Sequence, residues 1–259
     1  MNELVQKARQ SFRQAKGISQ DHYVLVVAPG ETSKEIKFTF RKSIPGLKEF
    51  LSSPQIKSIN KDFFEVFVIL PEDDQAVYEI KAEAAKLPNN LKVHFIDPSE
   101  RYGALSAADF GILHNGEITV EAAACQLPAT VLDSMNDARA YIEYLFNGHC
   151  SPLNVSTNFH GYEELLGGLS VTPAKLAYIL NEHFVRPKLR YYYAKLYREH
   201  IQIMLSRSGQ NPNLDVSQTG LQVASKTIID VANKYKLMDH NVRKTTNERK
   251  DALSLEHHW

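Results

Sequence analysis

The chain has 259 residues, enough for one large or two modest domains, and its 43% hydrophobic content allows a real core. Thirty basic residues balance thirty acidic ones, so no global field attracts nucleic acid, which is not an expected partner. The two cysteines, Cys125 and Cys150, lack metal-type spacing and favour a reducing intracellular compartment over a disulfide scaffold.

Residues 1–20 predict an N-terminal amphipathic helix. Its apolar stripe includes Leu4, Ala8 and Phe12, its other face is mostly basic, and Gly17 ends it. One interpretation is a helix that docks on the domain, and the alternative is an organelle-targeting peptide. No apolar run in the sequence is long enough to cross a bilayer, so no transmembrane segment is expected.

Short apolar runs alternate with helical segments through the middle of the chain. The runs predict five strands, at about 23–28, 64–70, 91–96, 110–113 and 129–132. Helices are predicted at about 75–86, 99–107, 117–125 and 136–146. Continuous apolar strands between helices indicate a parallel sheet covered on both faces. The predicted class is therefore α/β, with a Rossmann-like doubly wound parallel sheet.

The pattern changes after Gly148. Helices are predicted at about 162–167, 173–184, 188–206 and 217–236, and the chain ends in a polar segment. We therefore expect four regions: the N-terminal helix at 1–20, the Rossmann-like domain at 21–186, C-terminal helices at 187–237 and a polar tail at 238–259.

Ligands of doubly wound sheets bind at the carboxyl ends of the strands. Three loops lie there, and they follow the first, fourth and fifth strands at 29–33, 114–117 and 133–136. None contains a GxGxxG or P-loop motif, so the generic pattern predicts only a possible nucleotide crevice.

Several short motifs resemble the bacterial lipid-A-disaccharide synthase family. Pro29-Gly30 followed by Glu35-Ile36 is similar to that family's Pro-Gly-Ser-Arg-x-x-Glu-Ile element. The segments at 114–121, 122–131, 151–155 and 172–176 resemble its later elements in the same order. The resemblance covers about 22–200 and implies one half of a GT-B glycosyltransferase, the half that holds a UDP-sugar without a metal.

This resemblance implies ligand-binding residues, which are Gly30, Gly116, Thr119, Glu121 and Asn154. Glu121 stands where the family's acid accepts hydrogen bonds from ribose, although a salt-bridged glutamate is the alternative. Thr119 is expected to bond a phosphate or its own helix backbone. The implied ligand is UDP or UDP-GlcNAc, and no cofactor, metal or catalytic residue is predicted.

Two features depart from the family pattern. Glu31-Thr32 replaces Ser-Arg, so a carboxylate stands where a guanidinium would bind a diphosphate. Glu117 adds a second acid at the next loop, where it also stabilises the start of its own helix. Only 22 residues precede Tyr23, so we expect the acceptor-binding half to be missing.

The helix 186–204 interleaves basic residues with four tyrosines, Tyr191, Tyr192, Tyr193 and Tyr197. Four rings within seven residues cannot all face one core, which predicts a protein–protein surface, with a homodimer as the alternative.

The sequence thus predicts an inactive glycosyltransferase half that serves as a structural or accessory subunit of a larger assembly. The alternative is a UDP-GlcNAc-binding donor subunit of an active two-chain enzyme. In a eukaryote the expected location is the mitochondrion, and otherwise the cytoplasm or the periphery of the inner membrane.

Overall fold

The structure, a computed structural model, describes residues 3–58, 63–135, 138–157 and 161–207. The helix expected at 217–236 and the tail expected at 238–259 lie outside these residues. Among the described residues, no helix combines the length and the apolar content needed to cross a membrane.

Six strands and eleven α-helices account for most of the described chain. The strands are β1 Tyr23–Ala28, β2 Phe64–Ile69, β3 Lys92–Ile96, β4 Phe110–His114, β5 Ala129–Asp133 and β6 Glu163–Leu166. The helices before β5 are α1 Glu3–Ala15, α2 Ser33–Ser52, α3 Pro54–Lys57, α4 Asp74–Ala84, α5 Arg101–Ala107 and α6 Ile118–Ala124. Those after it are α7 Ala138–Asn147, α8 Pro152–Thr157, α9 Gly167–Ser170, α10 Pro173–Val185 and α11 Pro187–Arg207.

The strands form one sheet in the order β3-β2-β1-β4-β5-β6, and every neighbouring pair is parallel. Strand order reverses between β1 and β4, which lie side by side with Val26 opposite Gly111. This is the doubly wound order of Rossmann-like domains, in which the reversal creates a crevice at the carboxyl edge. The prediction of a parallel sheet of at least five strands is confirmed.

Two apolar clusters cover the two faces of the sheet. Leu25 and Val27 of β1 point into the cluster that contains buried residues of α2, α4 and α10. Val24 and Val26 point to the other face, where α5, α6, α8 and α11 contribute. Because both faces of the central strands are buried, their sequences are mostly apolar instead of alternating, with Glu65 of β2 and His114 of β4 as exceptions.

Helix α1 belongs to the fold and docks on α5. Arg13 is fully buried, and its guanidinium donates to Asp109 Oδ2 (2.8 Å), to Ala107 O and to His22 O. Phe12 packs so close to α5 that a Cβ on Gly103 would lie 2.3 Å from its ring. The expected docking helix is therefore present. Its residues Arg9 and Arg13 both bind partners within the domain.

Two expectations after residue 148 were wrong. The segment expected as a helix at 162–167 is instead the edge strand β6, which pairs with β5. Of the four tyrosines expected on one exposed surface, Tyr197 is buried, because it lies on the face of α11 that covers the sheet. Its ring packs at a tilt against that of Tyr162, with 4.8 Å between the ring centroids. Tyr191 and Tyr192 are exposed, and Tyr193 is partly buried.

Candidate ligand crevice

The predicted crevice lies where β1 and β4 end beside each other. The loop after β1 carries Gly30 to Thr32, and the loop after β4 carries Asn115 to Glu117. Gly30 has a φ of +98°, and a Cβ there would lie 2.6 Å from Glu35 Cβ and 3.2 Å from His114 Cγ. Glycine is therefore required at position 30 by both conformation and space, and it brings the two loops together.

The start of α2 is closed by its own carboxylate. Glu35 Oε2 accepts hydrogen bonds from the N–H groups of Glu31 (2.9 Å) and Thr32 (3.0 Å), while Thr32 Oγ1 accepts from Glu35 N. Burial acts to raise the pKa of Glu35, but the two backbone N–H donors outweigh it and the pKa lies below its ordinary value. This capping box occupies backbone donors that an anion would otherwise approach.

His114 and Asn115 form the second wall of the crevice. His114 is 7% exposed, and its Nδ1 donates to Asn115 O at 2.9 Å, because a carbonyl oxygen can only accept. The Asn115 amide donates to Asp133 Oδ2 (2.7 Å), which joins this loop to the end of β5. His114 Nε2 and Asn115 Oδ1 are buried without a hydrogen-bond partner.

Glu121 lies one turn into α6 and is 5% exposed. Its Oε1 accepts from Arg101 (2.9 Å) and from the Tyr102 hydroxyl (3.1 Å), and its Oε2 is buried without a partner. Burial raises the pKa of Glu121, Arg101 and Tyr102 oppose that rise, and Glu117 and Glu31 add to it. Glu121 Oε1 therefore forms the salt bridge that was the alternative to ribose binding.

Two further predicted residues have their side chains engaged within the protein. Thr119 is fully buried, and its hydroxyl donates at 2.8 Å to Gly116 O, in the turn that leads into α6. The buried Asn154 amide donates to Tyr162 O and Glu164 Oε1 and accepts from the N–H groups of Gly161 and Tyr162. These bonds use all the hydrogen-bonding capacity of Asn154, so the structure gives it a role in joining α8 to β6.

Glu164 is the buried acid that the sequence reasoning missed. Its Oε1 accepts from the N–H and hydroxyl groups of Ser151 and its Oε2 from Cys150 N, so it caps the start of α8. Glu164 was missed because its segment was expected to be helical. The segment is instead a strand, and the Glu164 side chain faces inward. Arg101 and Tyr102 were also missed, since nothing in their local sequence indicates a partner 19 or 20 residues away.

Together, the structure brings Gly30, Gly116 and Glu121 to the same crevice and places Asn154 in a separate hydrogen-bond cluster. Whether any of them binds a ligand stays a prediction. The crevice presents carboxylate oxygens and an imidazole nitrogen, groups that accept hydrogen bonds from hydroxyl or N–H donors. Within the described ranges, no group of three His, Cys, Asp or Glu residues could hold a metal ion.

The chain matches a sequence profile of a known family over most of its length. Residues 2–208 match the family described as lipid-A-disaccharide synthetase. No curated protein is significantly similar to the chain.

Solved structures resemble the fold. A glycosyltransferase involved in lipopolysaccharide biosynthesis, WaaG, is 16% identical, with 84% of this chain and 50% of that chain covered and a TM-score of 0.49. A UDP-GlcNAc 2-epimerase from Neisseria meningitidis is 16% identical (87% and 48% covered, TM-score 0.40). The wall teichoic acid polymerase TagF is 12% identical (88% and 49% covered, TM-score 0.43). The chain spans about half the length of these proteins.

Proposed function

The chain belongs to the lipid-A-disaccharide synthetase family, and from that premise we propose that it is a non-catalytic member that serves as an accessory subunit of a larger protein assembly. It has the Rossmann-like sheet of a GT-B half. The proposal concerns what that half does in this chain: it binds partners and does not transfer a sugar.

One observation carries the proposal: three glutamates converge on the crevice. Glu31 and Glu117 lie close enough to Glu121 to act against its ionisation. Arg101 contacts this cluster, and its charge is paired with Glu121 at 2.9 Å. A diphosphate entering the crevice would add at least two negative charges to a site whose net charge is already negative, which opposes binding.

The exposed rings of α11 support the accessory role. Tyr191 and Tyr192 expose 66% and 57% of their surface, so most of each ring lies outside the core. Aromatic residues are enriched at protein–protein interfaces. The proposed α11 surface contains Tyr191 and Tyr192 and excludes the buried Tyr197. A mitochondrial assembly in a eukaryotic source remains part of the proposal and rests on the family resemblance.

A specific observation also favours the second candidate, a UDP-GlcNAc-binding donor subunit. Three buried polar atoms in the crevice region lack a partner: His114 Nε2, Asn115 Oδ1 and Glu121 Oε2. Buried polar atoms in folded proteins nearly always have a hydrogen-bond partner, and the hydroxyl groups of a ribose or hexose would supply one. All three atoms can accept a hydrogen bond, which suits the hydroxyl groups of a neutral polyol better than a phosphate.

Calorimetric titration of the full chain with UDP and with UDP-GlcNAc separates the two candidates. We expect a Kd weaker than about 1 mM, which corresponds to less than about 4 kcal/mol of binding free energy. The purified chain is also expected to form no disaccharide from a UDP-sugar and a lipid acceptor. Micromolar UDP binding by the unmodified chain would overturn the non-catalytic proposal.

Two double variants test whether the negative charge of the crevice weakens UDP binding. The double variant Glu31→Ser, Glu117→Thr should bind UDP at least about tenfold more tightly, or about 1.4 kcal/mol, because it removes two like charges from the crevice. Asp21→Ser, Glu49→Ser removes the same charge from exposed positions away from the crevice and is the matched control. Equal effects of the two double variants would show that only net charge matters.

A further inference from the structure

The crevice between the loops after β1 and β4 is rich in hydrogen-bond acceptors. His114 Nε2, Asn115 Oδ1 and Glu121 Oε2 are buried there without a partner. His114 Nδ1 carries the proton that is donated to Asn115 O, so Nε2 of the neutral ring bears a lone pair. An amide oxygen and a carboxylate oxygen accept as well. A ligand that is complementary to this crevice must therefore offer hydrogen-bond donors.

Three carboxylates give the same crevice a negative charge. Glu117 and Glu121 lie one turn apart at the start of α6, where the Glu121 N–H donates to Glu117 O at 3.2 Å. Glu31 follows Gly30, the residue at which the two loops come together. Glu31 and Glu117 both oppose the ionisation of Glu121, and Glu31 also favours the charged form of Arg101. Charges affect each other in this way only over short distances, so the three acids share one region.

Arg101 offsets one of these three negative charges. Its guanidinium lies 2.9 Å from Glu121 Oε1, which also accepts from the Tyr102 hydroxyl at 3.1 Å. The second oxygen of Glu121 has no donor, although the side chain is only 7% exposed. A buried acceptor without a donor is costly, and more so when it carries a charge. Three carboxylates against one guanidinium leave two negative charges unbalanced when all four groups are ionised.

These two properties, acceptors and negative charge, exclude several classes of ligand. A phosphate is repelled by the charge and brings mainly acceptors of its own. A metal ion is not indicated, because the described part of the chain contains no suitable group of three ligating side chains. A neutral hydroxyl compound would satisfy the acceptors but leave the charge unbalanced. A primary ammonium group carries one positive charge and three N–H donors, so it meets both requirements.

We propose that the crevice binds a small organic molecule through a primary ammonium group, which pairs with Glu121 and is attracted by Glu31 and Glu117. This inference goes beyond the accessory role and rests on the same three glutamates. Acids that repel a diphosphate attract an amine, so a single electrostatic cause gives opposite preferences for the two ligands.

Calorimetric titration of the full chain with cadaverine, a linear diamine, and with the linear diol of the same length tests the proposal. The two probes share a carbon chain and differ in whether its ends carry ammonium or hydroxyl groups. We expect cadaverine to bind at least about tenfold more tightly than the diol, because the charges of the crevice act on cadaverine alone. Equal affinities would overturn the proposal, since the crevice would then not select for positive charge.

Three variants show whether the amine binds in this crevice. Glu121→Gln retains the size of the side chain but removes its charge, and it should weaken cadaverine binding at least about tenfold. The double variant Glu31→Ser, Glu117→Thr changes two exposed positions and should weaken it at least about threefold, while UDP binding becomes stronger. The control Asp21→Ser, Glu49→Ser should change cadaverine affinity by less than about twofold. Equal weakening in the control would refute a specific site.

The amine test and the UDP test fail separately. Micromolar UDP binding by the native chain would refute the non-catalytic role and leave a selective, Glu121-dependent affinity for cadaverine standing. Conversely, no cadaverine binding by the native chain, or the same affinity in the native chain and in Glu121→Gln, would refute the amine proposal without bearing on the UDP result.

Discussion

The buried ion pair under α1 provides a quantitative test of whether this helix is part of the folded domain. Asp109 accepts hydrogen bonds from Arg9 (2.8 Å), Arg13 (2.8 Å) and the Val24 backbone N–H (2.9 Å). The Arg13 side chain is 0% exposed and the Asp109 side chain 9%. Asp109→Ala therefore leaves a fully buried guanidinium without its counter-charge and a backbone donor without its acceptor.

Removing one partner of a buried pair costs about 3–5 kcal/mol. For a protein of this size each kcal/mol lowers the melting temperature by about 2–4 °C, so we expect Asp109→Ala to lower it by about 10 °C. Burial lowers the pKa of Arg13 and the Asp109 carboxylate opposes that effect, so the loss of Asp109 removes the main group that stabilises the buried charge.

Lys16→Ala is the matched control on the same segment of chain. Lys16 pairs with Glu100 at the same distance, 2.8 Å, but their side chains are 24% and 37% exposed. Such a pair contributes about 1 kcal/mol or less, so the melting temperature should change by no more than about 3 °C. Differential scanning calorimetry of both variants gives the comparison. Equal shifts would mean that α1 is not held by a buried ion pair and would revive its interpretation as a targeting peptide.

Three further predictions concern single residues. Burial raises the pKa of Glu121 in the folded state, so its protonation stabilises the fold at low pH and this contribution is lost as pH rises through the raised pKa. The melting temperature of the native chain relative to Glu121→Gln should therefore fall as pH rises above the ordinary value of 4.5, and a flat or rising difference would contradict this. Burial raises the pKa of Cys125 to about 12, so a thiol reagent at pH 8 should not label it until the protein is unfolded, and rapid native labelling would show that the helix face is open. Gly103→Ala should lower the free energy of unfolding by about 1–3 kcal/mol in a denaturant titration, because the added Cβ would lie 2.3 Å from the Phe12 ring. If this contact is the cause, most of the loss should disappear when the same substitution is made in a Phe12→Ala background.

The sequence by itself determined the central sheet. Runs such as Phe64–Ile69 are apolar at every position except Glu65, and such short runs between helical segments suit strands buried on both faces. The loops after β1 and β4 were therefore expected at one edge, and Gly30 lies there beside His114. The alternation of strands and helices is a local property of the chain, which is why it could be predicted.

Only the tertiary structure decided that residues 163–166 form an edge strand and which groups their side chains contact. Glu163–Leu166 is only 4 residues long, and a segment that short has no periodicity that distinguishes a strand from a helix. Pairing with β5 makes it a strand and turns Glu164 inward, where it caps α8. No pattern within the segment could reveal that contact.

The sequence likewise does not reveal which side chains face the core or which ones contact each other. Helical spacing predicted that the tyrosines of α11 diverge, but only the packing of α11 on the sheet shows that Tyr197 is buried and Tyr191 exposed. The Glu121 contacts with Arg101 and Tyr102 depend on how α5 and α6 are placed side by side. Likewise, only the fold shows that Tyr141, Leu145 and Phe146 of α7 are exposed. Each of these outcomes depends on which elements become neighbours, and that is a property of the whole chain.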